Sequence, residues 1–383
     1  MTTPAIDAAE VERLLAELVR IPSTNPPGRE GAVVAHLCSV LDAAAIAWTT
    51  DELEPDRPNL HATIGPPGSP ALALNGHSDT MPAGASWTSD PFEPVVRAGV
   101  MTGLGACDMK AGLAAMVGVA LALTRCGIPL RRALRLDVVV VEEATGRGSI
   151  RAAERQPLPE AVVIVEPTSL RLVPVGNGQI NVAYTITGVA AHGSTPQRGS
   201  NAVAAAAAAI VALERFALER PASSHALIGP ETLSIGTIDG GLKTSVVPDR
   251  CRFSVDLRIA PGRDPDAAAA EADDVVAAAL AGRPGIAWSR SNEIRVPPFE
   301  TALDDPLCKA LARAHRAVLA VDPVAVGMPA TTDAAWYAER GVPAVIYGAG
   351  DLADAHRADE HVALADVVTA SRVLLELALL TTT

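Results

Sequence analysis

Cysteine is sparse and scattered. The five residues Cys38, Cys107, Cys126, Cys251 and Cys308 are odd in number and form no CxxC pair. That excludes a disulfide framework and a thiolate zinc site. Long hydrophobic runs are also missing: no apolar stretch reaches the roughly 18 residues a membrane span needs. The opening MTTPAIDAAEVERLLAELVRIPS has no basic segment followed by an apolar one. No secretory signal is therefore expected, and a cytoplasmic location is the default. The stretch reads instead as an amphipathic helix capped by Asp7, with Leu14, Leu15 and Leu18 inside. Positive charge is in deficit, with 31 Lys and Arg against 44 Asp and Glu and a net charge of −13. Nucleic acid and anionic membranes are poor partners for such a surface, whereas a metal cation is not.

What is present is enough for two cores. The chain has 383 residues, 49% of them hydrophobic, too many for one ordinary domain. Alanine runs such as NAVAAAAAAIVALERF favour helices. Helices are expected near 7–20, 29–45 and 109–125, and strands near 59–65, 70–76, 134–142 and 161–166. That alternation with apolar strands predicts an α/β sheet covered on both faces. From about 175 the order becomes β-α-β-β-α-β, with helices near 200–219 and 265–281, a ferredoxin-like α+β unit. Helix–strand alternation then resumes, with strands at 324–328 and 343–347. One α/β domain, 1–174 and 295–383, is thus interrupted by an inserted domain, 175–294.

The chemistry starts at LDVVVVEEATG, residues 136–146. Four valines read as a buried strand that ends in Glu142 and Glu143. Adjacent carboxylates repel and are costly at the end of a buried element unless a positive charge meets them. ALALNGHSDT ends another apolar strand in His-x-Asp. Residues two apart on a strand point the same way, so Asp79 is placed to accept from the His77 imidazole and fix its tautomer; a polar turn is the plainer reading. GLGACDMKAG puts Asp108 before a helix, as an N-cap or as a ligand. VIVEPTS ends a run in Glu166, as a solvated strand end or as a ligand. GDLADAHRADEHV offers His356 and His361.

Together these residues converge. In an α/β sheet the carboxyl ends of the strands form the ligand crevice. Imidazole and carboxylate without cysteine suit zinc, cobalt or manganese. Two divalent ions balance Asp108, Glu143, Glu166 and a hydroxide, whereas one leaves the cluster anionic. A bridging carboxylate holds two ions about 3.5–4 Å apart. Glu143 then binds an ion, and Glu142 is left free as a general base that passes its proton to a leaving amine.

Seven stretches in order, NGHSDTMPAG, GLGACDMKAG, EEATGRGS, VEPT, AAHGSTPQRGSNA, VVPDRCRFSVDLR and GAGDLADAHRADEHV, make the chain resemble the acetylornithine deacetylase / succinyl-diaminopimelate desuccinylase family of two-zinc amidohydrolases. Aminoacylases, glutamate carboxypeptidases and dipeptidases belong to the same family. The resemblance spans essentially the whole length and implies a zinc-peptidase-like three-layer catalytic domain with an inserted lid and dimerisation domain, hence a homodimer. It implies two divalent ions per subunit, zinc first and cobalt or manganese next. His77 and Glu166 would hold one ion, Glu143 and His356 the other, with Asp108 bridging. His361 does not align with a ligand. Asp79 supports His77, and Glu142 is the acid/base.

In the insert, His192 resembles the lid histidine that stabilises the tetrahedral oxyanion, often across the dimer. Arg258 resembles the arginine that grips a substrate carboxylate, against the plainer reading of a surface salt bridge. Ser245 stands where many members carry asparagine, and a serine offers fewer donors. VGNGQ replaces the usual lysine–glycine pair. Cys107 reads as a small packed residue. The expected reaction is hydrolysis of the amide bond of an N-acyl amino acid or short peptide, with a di- or carboxypeptidase as the alternative. With only four Phe, three Tyr and four Trp, no aromatic cage for a bulky acyl group is evident. An inactive metal-binding scaffold and a pure interaction module are the rivals from other classes; the complete ligand set with an intact Glu142 speaks against the scaffold.

Overall fold

The computed structural model describes residues 4–219 and 224–383; the first three residues of the N-terminal stretch lie outside them. The chain divides into two compact units. The first comprises residues 1–174, 300–327 and 332–383, and the second residues 175–299 and 328–331.

The first unit is built on a sheet that includes, in order, strands Trp48–Glu54, Arg57–Ile64, Leu134–Val139, Leu72–His77, Val162–Ile164, Ala344–Ile346 and Leu172–Gly176. The four central strands are mutually parallel, and both flanks are antiparallel. The parallel strands are buried along their whole length, as apolar strands covered on both faces must be. After Leu72–His77 the chain steps to one side through helix Lys110–Cys126, then back to the other through helix Arg147–Glu154. Such a reversal opens a crevice at the strands' carboxyl ends. Helix Lys110–Cys126 is buried through residue 123. It packs on helices Ala8–Arg20 and Leu364–Thr382, which share its apolar core. Gly112 is required there, because a Cβ would stand 2.1 Å from the Val165 carbonyl oxygen. No helix of the described residues is long and apolar enough to cross a membrane.

Strand Trp48–Glu54, WTTDELE, has no apolar pattern to announce it; it is an edge strand lacking buried positions. A second departure bears on the site. The strand expected over 134–142 stops at Val139, and Glu142–Thr145 is a helical turn.

The second unit has a four-stranded antiparallel sheet in the order Thr232–Gly240, Arg250–Ile259, Gly178–Thr187, Ala287–Val296. Helices Ala202–Glu219 and Pro265–Leu280 pack on it. The buried positions of the first helix are nearly all alanine, Ala202, Ala205, Ala206 and Ala209, so its backbone approaches the sheet closely. At the insert's root the Thr301 amide donates to the Pro174 carbonyl at 2.8 Å, both belonging to the first unit.

Candidate metal centre

His77 is the last residue of a fully buried strand. Its Nδ1 bonds the main-chain carbonyl of Asp79 at 2.9 Å, which makes Nδ1 the protonated nitrogen and leaves Nε2 to ligate. This corrects the expected role of Asp79. Its carboxylate, 3.6 Å from Nδ1, lies beyond hydrogen-bond range. It accepts instead from Asn25 Nδ2 at 2.9 Å, from the Glu142 amide at 3.2 Å and from the Glu143 amide at 3.1 Å.

The two glutamates leave the sheet through Val141, which takes a left-handed conformation, φ 66° and ψ 23°. For a β-branched residue this costs on the order of 1–3 kcal/mol. The turn is held by the Thr145 and Gly146 amides, which both donate to the Val141 carbonyl, and by the Asp79 carboxylate. Gly148 fits beneath it only for want of a Cβ, which would stand 2.0 Å from the Val140 carbonyl oxygen.

Asp108 is not the helix cap. Met109 occupies that position, with no side-chain cap bond. The Asp108 carboxylate is divided instead: Oδ1 lies 3.0 Å from His77 Nε2 and Oδ2 lies 3.3 Å from His356 Nε2. Glu166, two residues past its strand, stands 3.5 Å from His77 Nε2, and Glu143 stands 2.9 Å from His356 Nε2. His356 has φ 57°. His361 bonds the Asp359 carbonyl instead. Cys107 is buried, its Sγ 3.3 Å from the Asp351 carbonyl oxygen.

These residues fit divalent cations. Ligand atoms of His77, Asp108 and Glu143 lie within 4.8 Å of one another. Two ligands about 2.1 Å from one ion at a tetrahedral angle stand roughly 3.4 Å apart, close to the pair distances above. The electrostatics agree. Burial, then the nearby Asp108, pushes Glu166 up to about 8. Burial, then Asp333, raises Glu142 well above the carboxylate range. Burial disfavours the His77 imidazolium, but Glu166 and Asp108 more than offset this and hold its pKa well above the ordinary value. Bonds to Asp108 and Glu143 push His356 up to about 10. Protons thus occupy a cluster whose charge two cations would balance.

Beside Asp108, Glu143 and His356 lies a cavity of about 130 Å³, walled by Met81, Trp87 and Leu104. Two acids escaped sequence reasoning. Asp333 is buried and pushed up to about 7, chiefly by burial. Glu360 is buried beneath the Asp108 loop. Neither sits in an apolar run that would have drawn notice.

Within the second unit, His192 and Ser245 are neighbours. His192 pairs with Val246, and the Gly193 amide donates to the Ser245 carbonyl at 2.8 Å. The Ser194 amide donates to His192 Nδ1 at 3.1 Å, so the neutral ring carries its proton on Nε2. The exposed loop 241–246, begun by Gly241 at φ 83°, precedes Val247–Pro248. Arg258 is not with them. It pairs with Gln179 at the far end of strand Arg250–Ile259, about 26 Å along at roughly 3.3 Å per residue. There it forks onto Asp256 with two bonds of 2.9 Å, the salt bridge that was its plainer reading.

Known proteins are similar to this chain in sequence or in fold. The N-formyl-4-amino-5-aminomethyl-2-methylpyrimidine deformylase of Bacillus subtilis is 25% identical over 403 residues, 96% of this chain and 93% of that protein. A succinyl-diaminopimelate desuccinylase of Gluconacetobacter diazotrophicus is 29% identical over 382 residues, 96% of this chain and 94% of that protein. The Bacillus subtilis YXEP protein, described as a dinuclear metal-binding peptidase of the M20 family, shares the fold with a TM-score of 0.76 at 18% identity; the match covers 98% of both chains. Peptidase family M20/M25/M40 matches residues 73–380, and the chain belongs to that family of metal-dependent hydrolases of amide bonds.

Proposed function

We propose that the chain hydrolyses the amide bond of a small N-acyl amino acid and that it holds two zinc ions to do so. The observation that carries the reading is the division of Asp108, with Oδ1 toward His77 and Oδ2 toward His356. His77 and Glu166 would hold one ion, Glu143 and His356 the other, and Asp108 both. Bound ions would neutralise the cluster, polarise the scissile carbonyl and make a water easier to deprotonate. Glu142 lies alongside with its carboxylate outside every ligand pair. It takes a proton as water adds to the carbonyl carbon and gives it to the amine nitrogen as the C–N bond breaks. The products are a carboxylate and a free amine. Asp79 keeps the Glu142–Glu143 backbone in place. His192 offers its Nε2–H to the developing oxyanion, Ser245 sits beside it, and Arg258 exchanges Asp256 for a substrate carboxylate. Since His192 and Arg258 occupy opposite ends of one unit, we further propose a homodimer in which two copies complete a site.

The small cavity favours a compact acyl group, and the two curated relatives above are named for removing formyl and succinyl groups. The test is amine release from N-formyl, N-acetyl and N-succinyl amino acids and from dipeptides, by zinc-loaded protein with and without chelator. Chelator-sensitive release from an N-acyl class is the expected result. Release from dipeptides alone would replace deacylation with peptidase activity. Light scattering at micromolar concentration tests the dimer, and a monomer would end that part of the reading.

A further inference from the structure

Glu360 lies four residues beyond His356 and is 2% exposed. Its side chain runs under the loop that carries Asp108. Oε1 accepts the Cys107 amide at 2.8 Å and the Asp108 amide at 2.9 Å, and Oε2 accepts the Gly105 amide at 2.9 Å. Its main-chain carbonyl takes the Gly103 amide at 2.9 Å. A loop that turns several N–H groups to one side makes an anion-binding concavity, and here a side chain of the chain itself fills it. With both oxygens taken by amides, Glu360 is poorly placed to ligate. Nearby Lys110, buried at 1% exposure, is engaged elsewhere and donates to the Ile21 carbonyl at 2.9 Å. The adjacent Asp359 accepts the amide and hydroxyl of Thr88 at 3.0 and 3.1 Å, so the segment holding His356 is tied to two other loops of the first unit.

We propose that Glu360 is a positioning residue that fixes Asp108 between the two halves of the metal centre by holding its backbone from behind. The inference rests on the two-metal reading above. A shared carboxylate tolerates little displacement, because a shift toward either histidine withdraws an oxygen from the other, and metal sites need their supporting groups held within about 0.5 Å. Anchored on three amides, the loop presents Asp108 to His77 and His356 at once. Without the anchor, Asp108 would still reach one histidine but would no longer be divided between both.

The test is zinc stoichiometry and stepwise affinity by equilibrium dialysis, on wild type, Glu360→Ala and Glu360→Gln, with circular dichroism as the check on folding. Wild type is expected to hold two ions. Glu360→Ala should bind the weaker ion roughly 10–100-fold less tightly, with a smaller change at the tighter one. Glu360→Gln retains one oxygen for the Cys107 and Asp108 amides but turns a donor toward Gly105. It should fall between the two, and it decides the matter if Glu360→Ala does not fold. Unchanged binding of both ions in a folded variant would overturn the role of Glu360 alone. Wild type holding fewer than two ions would overturn the two-metal reading and this inference with it.

Discussion

The carboxylate of Asp79 accepts the main-chain amide of Glu143 at 3.1 Å. A residue two positions from one proposed ligand thereby fixes the backbone of another, 64 positions away along the chain. The neighbouring amide of Glu142 is held by the same carboxylate. Asp79→Ala is expected to lower kcat about 10–100-fold, while the His77 tautomer, set by the residue-79 carbonyl, survives. Steady-state kinetics with metal analysis checks this; a variant with normal kcat would show that the turn holds its shape unaided.

Glu142 touches no ligand pair, so its removal should separate binding from turnover. Glu142→Gln is expected to keep its full metal content and lose about 10²–10⁴-fold in kcat. Metal analysis beside amine release reads both quantities, and comparable turnover would exclude Glu142 as the acid/base.

Stability and pH follow from the raised pKa values. In the metal-free protein Glu166 sits at about 8 against an ordinary 4.5, and His356 at about 10 against 6.5. Both bind protons more tightly folded than unfolded, so stability falls as pH rises through that window. Chelated protein should therefore unfold more easily near pH 9 than near pH 6. Apparent zinc affinity should rise over the same interval, as ligands give up protons. Urea midpoints of chelated protein at the two pH values decide the first statement. A protein more stable near pH 9 would contradict it.

His192 has Nδ1 occupied by the Ser194 amide and its hydroxyl, the latter at 2.7 Å. Only Nε2 faces outward as a donor. His192→Ala should cost about 10²–10³-fold in kcat with little change in KM, as loss of an oxyanion donor does. A rise in KM alone would instead make it a substrate-binding residue.

Much of this architecture was legible because three of the five proposed ligands each end an apolar run with a polar or charged group that such a run does not tolerate. His77, Glu143 and Glu166 announce themselves in that way, and the structure brings them together with Asp108 and His356. The β-α-β-β-α-β order of the second unit was legible from alternation alone. Other features had no local cause to be seen. Strand Trp48–Glu54 is an edge strand with polar residues on both faces. Asp79 was the right residue with the wrong atom, since a two-residue spacing does not say whether the carbonyl or the carboxylate meets the ring. The turn at Glu142 depends on Val141 adopting a backbone that its own side chain disfavours. Glu360 is silent in sequence because its partners lie more than 250 positions away.

The hydrogen bond between Thr301 and Pro174 closes the first unit at the place where the second departs and returns. An insertion whose two stems are already joined makes little demand on its host. All five proposed ligands, with Glu142, Asp79 and Glu360, lie on the host side of that closure. The proposed ion-holding residues are thus encoded apart from the stretch that carries His192, Ser245 and Arg258. On that reading, variation between 175 and 299 away from His192 would change substrate contacts while the ion-holding residues stay untouched, which is one route by which a single architecture would come to serve many amides.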